Sequence, residues 1–239
     1  KGIVAVLSGY PAQPTTSIVK LPAKAARLPM LSKTFKTAGY NTAFYYGGEL
    51  EFANMKAYLM SGAFDKYVTV NDFSGTELNS KWGAHDGVIM QKLMREIAVA
   101  KQPFFYTWLT LSSHEPFETP LQTVITGNDD ASKFLNSLHY TDGVLYGFVQ
   151  ECKKQPWWNN TVLLIVADHG HRMPATGKKI DDFKIPLLML GGRVKAGVID
   201  KTGSQTDLAA TLLSRTGISA SEFTWSKNLT DSMAKPSAY

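Results

Sequence analysis

Apolar positions along this chain follow two rhythms. The first is the unbroken run, seen in Phe104-Phe105-Tyr106-Thr107-Trp108-Leu109-Thr110-Leu111 and again in Val162-Leu163-Leu164-Ile165-Val166-Ala167. Runs without polar alternation are how strands buried on both faces of a parallel sheet read. Shorter strands are predicted over Asn41–Tyr46 and Tyr67–Val70, and over Ile185–Leu190, where Pro186 marks an edge strand or a strand that opens on proline. The second rhythm is the helical spacing of three and four. Leu28, Leu31 and Phe35 share it, with Pro29 in the first turn and Gly39 as the stop, and residues 51–60 also read as helix. Ile89, Leu93 and Ile97 follow Asp86 as an N-cap, and Phe134, Leu138, Thr141, Leu145, Phe148 and Cys152 form the stripe of the longest helix. Leu208, Leu212 and Leu213 lie behind Thr206-Asp207 and end at Gly217, while residues 11–22, with three prolines, and 118–131 read as loops. Alternating helices and strands predict an α/β fold in which the 104–111 and 162–167 strands are adjacent or next-adjacent.

Composition narrows this to one large domain. At 239 residues, 44% hydrophobic and 19% charged, the chain can bury a substantial core. It holds no run approaching the roughly 18 apolar residues of a membrane span. The net charge of +5 comes from dispersed Lys and Arg, which leaves an anionic substrate open and gives no nucleic-acid footprint. Cys152 is the single cysteine, so no intrachain disulfide forms, and its place on the apolar stripe reads as a small buried hydrophobe.

Both apolar runs stop at polar residues. The first breaks into Ser112-Ser113-His114-Glu115-Pro116-Phe117, the second into Asp168-His169-Gly170-His171-Arg172. Ligands of open α/β sheets sit beyond the carboxyl ends of the strands. An adjacent Asp and His can reach one divalent cation there, with Gly170 permitting a sharp exit; the same pair can equally be a helix cap and a packed histidine. Parallel strands bring their carboxyl ends to one edge, so His114 and the Asp168-His169 pair can face one cleft, although a loop histidine can also simply cap a strand end. His171 and Arg172 can meet an anion or stay solvated. His85, just before a helix, reads as structural.

Taken in order, Leu7-Ser8-Gly9-Tyr10-Pro11, Leu111-Ser112-Ser113-His114-Glu115-Pro116-Phe117, Tyr140-Thr141-Asp142, Asn160-Thr161 leading into Ala167-Asp168-His169-Gly170, and Thr206-Asp207-Leu208-Ala209-Ala210-Thr211-Leu212-Leu213 resemble the sulfatase and alkaline-phosphatase superfamily. Within it, the chain looks like the lipoteichoic-acid-synthase-like phosphoglycerol transferases. The resemblance implies a mostly parallel twisted sheet flanked by helices, with 1–239 as one sulfatase-like catalytic domain. It implies that Asp168 and His169 are metal ligands for one divalent cation, Mn²⁺ first, with Mg²⁺, Zn²⁺ and Ca²⁺ open. His114, with His171, Arg172 and Tyr46, is implied to contact an anionic phosphate- or sulfate-ester substrate. Family members carry a His, a Trp and an Arg in the segment aligned with Tyr45–Met55; here those positions read Tyr46, Ala53 and Met55.

The family also presents a nucleophilic Thr, or a Cys converted to formylglycine, at the start of the helix that ends in Leu-Ser/Thr-Gly. By that spacing the nucleophile is expected just upstream of Lys1, and an acidic ligand from a first strand further upstream. The chain is thus expected to be truncated at the N-terminus and inactive by itself. Its parent is expected at the extracytoplasmic face of a bacterial cytoplasmic membrane, held by an N-terminal anchor absent here. Three activities remain open: phosphoglycerol transfer from a membrane-lipid-derived donor, sulfatase or phosphodiesterase hydrolysis, and binding of an anionic glycan or lipid without turnover.

Overall fold

The computed structural model describes residues 1–51, 54–173 and 175–238. Three parallel strands form its central sheet in the order β2-β1-β3, where β1 is Asn41–Tyr46, β2 is Lys66–Val68 and β3 is Phe104–Leu109. The β1–β3 ladder runs in register from Asn41 opposite Phe104 to Tyr46 opposite Leu109. A second sheet pairs β4 (Leu163–Val166) antiparallel with β5 (Leu187–Leu190), Leu163 opposite Leu190. Pro186 stands just before β5, which is an edge strand of this sheet, one of the two arrangements its sequence allows.

Helices sandwich both sheets. On one side lie α1 (Gly2–Ser8), α3 (Leu31–Thr37) and α7 (Leu208–Thr216). Phe105 of β3 and Leu164 of β4 both pack there, against the core of Leu31, Phe35, Leu212 and Leu213. On the other side lie α5 (Asp86–Ile97) and α6 (Asp130–Lys153), whose Ile89, Leu93, Phe148 and Cys152 receive Phe104, Tyr106 and Trp108 of β3 and Leu163 of β4. The side chains alternate with the period of two that a pleat imposes. Since β3 and β4 send alternate residues into the same two helical layers, the two sheets occupy one layer. They also point the same way. Trp157, just ahead of β4, stands edge-on to Phe104 at the start of β3, and beyond the other ends Phe117 meets His171.

Local signals account for most element ends. Asp129 caps α6 by accepting the Ser132 amide at 3.0 Å, and Gly217 closes α7 at φ 72°. Elsewhere the chain departs from its pattern. Residues 18–20 wind into a short helical turn inside the expected loop, and α2 (Pro22–Ala25) begins at the loop's last residue, with Pro22 in the first-turn position that tolerates it. The helix expected over 51–60 is α4, Met55–Ser61; Phe52 and Ala53 lie outside the described residues.

Burial separates the strands. In β1 every residue from Thr42 to Tyr46 is buried, whereas each residue of β3 and β4 is only half-buried, although their sequences read as strands covered on both faces. No ladder joins β3 to β4 among the described residues. A cavity of about 2380 Å³ runs between them instead. Among the described residues no helix is long and apolar enough to cross a membrane.

Candidate functional site

Beyond Val166 the chain turns through Asp168, His169 and Gly170, and the backbone there is held from three sides. The Gln205 amide donates to the carbonyls of Ala167 at 2.7 Å and Asp168 at 2.8 Å. Gly2, opening α1, lies so close that a Cβ on it would stand 1.7 Å from the Asp168 carbonyl oxygen. Gly170 packs on the Asp182 carbonyl, where a Cβ would come within 2.1 Å, so glycine is required by close approach. This rigid backbone carries two accessible side chains, with Asp168 54% and His169 72% exposed.

Their chemistry suits a cation. The Gly170 carbonyl, 2.8 Å from His169 Nδ1, can only accept, so Nδ1 carries the proton and the neutral ring keeps its lone pair at Nε2. That atom lies 3.7 Å from Asp168 Oδ2. Two ligand atoms each about 2.1 Å from one tetrahedral cation are about 3.4 Å apart. The pair therefore fits two positions of a coordination shell. Among the described residues no group of three or more His, Cys, Asp or Glu side chains converges for a metal.

The loop after β3 is fixed from beneath. Asp86, completely buried, accepts the backbone N–H of Leu111 at 2.8 Å and of Ser112 at 2.9 Å. In return Ser112 Oγ accepts the Asp86 N–H at 2.9 Å and lies 3.1 Å from His85 Nδ1. Burial raises the Asp86 carboxyl pKa against the pull of these hydrogen bonds. Desolvation likewise lowers that of the His85 imidazole, with the Glu118 carboxylate acting weakly the other way. Asp86 was expected as an N-cap; instead His85 takes that position and Asp86 ties α5 to the end of β3. His114 stands exposed at the tip of this loop, edge-on to Trp82 at 5.7 Å, with Nδ1 3.0 Å from the Glu115 carbonyl.

His171 is placed by aromatic rings. It stacks on Phe134 at 3.9 Å and meets the edge of Phe117 at 6.0 Å, which joins the loops that follow β3 and β4. Its Nδ1 accepts the Met173 N–H at 3.1 Å, so the neutral ring carries its proton on Nε2 and offers a donor. Tyr46, at the end of β1, is 8% exposed. Burial first, then the charges of Asp86 and Asp168, raise its phenol pKa, which keeps it a neutral donor.

One cavity thus brings together Tyr46, His114, Asp168, His169 and His171 from three strand ends. Arg172 is exposed and outside the cavity wall, as are Thr15 and Thr16 in the bend after α1. Met55 lines the cavity, while Ala53 lies outside the described residues. Glu49, Lys81 and Trp82 also face it. Sequence reasoning missed these three, because they sit in connections with neither periodicity nor a motif.

Comparison with known proteins agrees with the α/β fold. The family model described as sulfatase matches residues 1–218. Lipoteichoic acid synthase 1 of Bacillus subtilis is 25% identical over 205 residues, covering 77% of this chain and 32% of that protein. Phosphoglycerol transferase I of Xanthomonas campestris is 26% identical over 209 residues, covering 77% of this chain and 28% of that protein. The chain spans about a third of the length of these relatives. A solved structure from Vibrio parahaemolyticus, described as an alkaline phosphatase superfamily protein, superposes with a TM-score of 0.86 at 30% identity, covering 98% of this chain and 58% of that one.

Proposed function

This chain belongs to the sulfatase family, and on that premise we propose that it is part of a metal-dependent phosphoglycerol transferase. The observation that carries the reading is the Asp168–His169 pair on its fixed backbone, 3.7 Å between donor atoms, sharing one cavity with His114 and His171. Names of the relatives support the choice of phosphoglycerol over sulfate.

Asp168 Oδ2 and His169 Nε2 would hold one divalent cation, Mn²⁺ first, because the carboxylate suits that hard ion, with Mg²⁺, Zn²⁺ and Ca²⁺ as alternatives. Bound there, the ion would screen phosphate oxygens and acidify a coordinated hydroxyl. The chain's own groups do the rest. His171, with its proton on Nε2, donates to a non-bridging oxygen, and Tyr46 supplies a second neutral donor. His114, at the solvent edge, would protonate a leaving alkoxide. A hydroxyl carried by the residues leading into α1 would stand beside Asp168, because Gly2 already touches that residue's backbone. Attack by that hydroxyl on phosphorus, followed by transfer to an acceptor hydroxyl, divides one difficult displacement into two. The working location would be the extracytoplasmic face of a bacterial membrane, where lipid-derived donors are found.

The test uses the full-length protein with Mn²⁺ and two probes, phosphatidylglycerol vesicles and 4-nitrophenyl sulfate. Release of diacylglycerol, falling about 100-fold or more in Asp168→Asn and His169→Ala, is the expected result. Turnover of the sulfate ester alone would favour hydrolysis, the second reading, which the family's sulfatase members support. Metal binding with neither turnover would leave a binding domain and overturn both.

A further inference from the structure

The segment joining β4 to β5 turns an apolar face to solvent. Residues Lys179–Phe183 form a short 3₁₀ helix, in which side chains three apart stand above one another. Ile180 and Phe183 therefore share one face, and they are 64% and 71% exposed. A lone exposed apolar side chain is ordinary on a protein surface, whereas an aliphatic and an aromatic presented together mark a contact surface. Cations frame it. Lys178 and Lys179 lead into the face and Lys184 follows it, all exposed, and Arg172 is exposed earlier in the same segment. Lys184 is bonded to Asp181 at 2.7 Å, whereas Lys178 and Lys179 make no ion pair among the described residues.

Its position ties this face to the candidate site. Because β5 runs antiparallel to β4, the segment between them lies at the carboxyl edge of β4, beside Asp168, His169 and His171. A Cβ on Gly170 would stand 2.1 Å from the Asp182 carbonyl oxygen and 3.3 Å from the Phe183 Cα. The exposed face and the turn carrying Asp168 and His169 are thus in backbone contact. At the same edge, the loop after β3 exposes Leu121 at 66% and Val124 at 62%.

We propose that the Ile180–Phe183 face seats in the surface of an anionic lipid bilayer, with Lys178 and Lys179 against the lipid phosphates. An apolar tip framed by cations complements a surface that is anionic outside and apolar beneath. Aliphatic and aromatic side chains enter the boundary between head groups and acyl chains, while lysine ammonium groups reach the head groups on flexible stems. The proposal deepens the phosphoglycerol-transferase reading and rests on it for the lipid donor. Seated this way, the site opens at the membrane from which that donor comes.

The test reads contact rather than turnover, so its failure and the failure of that reading are told apart. Full-length protein is prepared with the photo-crosslinking residue p-benzoylphenylalanine in place of Phe183 and, separately, in place of Val99. Val99 is 85% exposed just beyond α5. It lies near Lys101 and Pro103, whose carbonyls accept hydrogen bonds from Asn41 at the start of β1, and so marks the opposite edge of the sheet. Each variant is irradiated with vesicles of phosphatidylcholine alone or mixed equally with phosphatidylglycerol, and adducts are identified by intact mass. Lipid adducts at position 183, absent at 99 and stronger in the anionic vesicles, are the expected result. Lys178→Gln with Lys179→Gln should lower that yield about fivefold or more, since each basic residue near an anionic surface contributes about that factor. Capture of a second copy would assign the face to an interface between chains, and capture of the protein's own chain would show it covered from within. Equal lipid adducts at both positions, equal yields in both vesicles, a yield unchanged by the lysine substitutions, or no adduct would each show that this face does not dock on anionic lipid. Any of these outcomes overturns the proposal. The crosslinker at Ile180 keeps the test decisive if the first variant fails to fold.

Discussion

Gly2 and Asp168 touch through their backbones: a Cβ on Gly2 would stand 1.7 Å from the Asp168 carbonyl oxygen and 2.6 Å from its carbonyl carbon. Backbone cannot rotate away as a side-chain tip can. Gly2→Ala is therefore expected to push α1 off the β4 loop and to move the Asp168–His169 pair. Supporting contacts around metal ligands commonly contribute about 10- to 100-fold in affinity. If the pair holds the proposed cation, calorimetric titration with Mn²⁺ should show a loss in that range for Gly2→Ala, and unchanged affinity would separate α1 from the Asp168–His169 pair.

Asp86 stabilises the His114 loop from within the core. Asp86→Ala leaves the Leu111 and Ser112 N–H groups, now bonded at 2.8 and 2.9 Å, without an acceptor in a buried place. Each such orphaned donor costs about 1–3 kcal/mol. Urea unfolding should register the loss, with Asp86→Asn, which keeps one carbonyl oxygen, falling between the variant and the wild type.

His85 gives the fold an acid limit. Burial holds its imidazole pKa below the ordinary value. The unfolded chain therefore binds the proton more readily as pH falls, and the stability contributed by the neutral ring is present above about pH 6.5 and lost as pH drops through the lowered native value. The urea midpoint should decline more steeply between pH 7.5 and 5.5 in the wild type than in His85→Gln. Parallel declines would remove His85 as the cause.

Cys152 should be chemically silent in the folded protein. It is 2% exposed, and desolvation, helped by the Glu151 charge, pushes its thiol up to about 12. Only the thiolate reacts readily. Iodoacetamide at pH 8 should leave the native protein unmodified and label it in denaturing urea, as read by intact mass.

The sequence alone determined the elements and the identity of the chemical groups. Unbroken apolar runs placed β3 and β4, helical spacing placed the buried Ile89, Leu93 and Ile97, and a break from apolar to polar at the end of each strand marked His114 and Asp168. These are local facts, because period and punctuation are set by neighbouring residues. Tertiary structure decided the rest. Whether Asp86 capped its own helix or reached across to Leu111 depended on a partner 25 residues away. Arg172 and His171 are adjacent in the chain, yet only His171 found aromatic rings to stack on and a place in the cavity wall. Most of all, two strands with the composition of buried neighbours came to lie half-exposed on either side of a gap. Burial on both faces is written in side chains, but pairing at an edge depends on which other backbone arrives there.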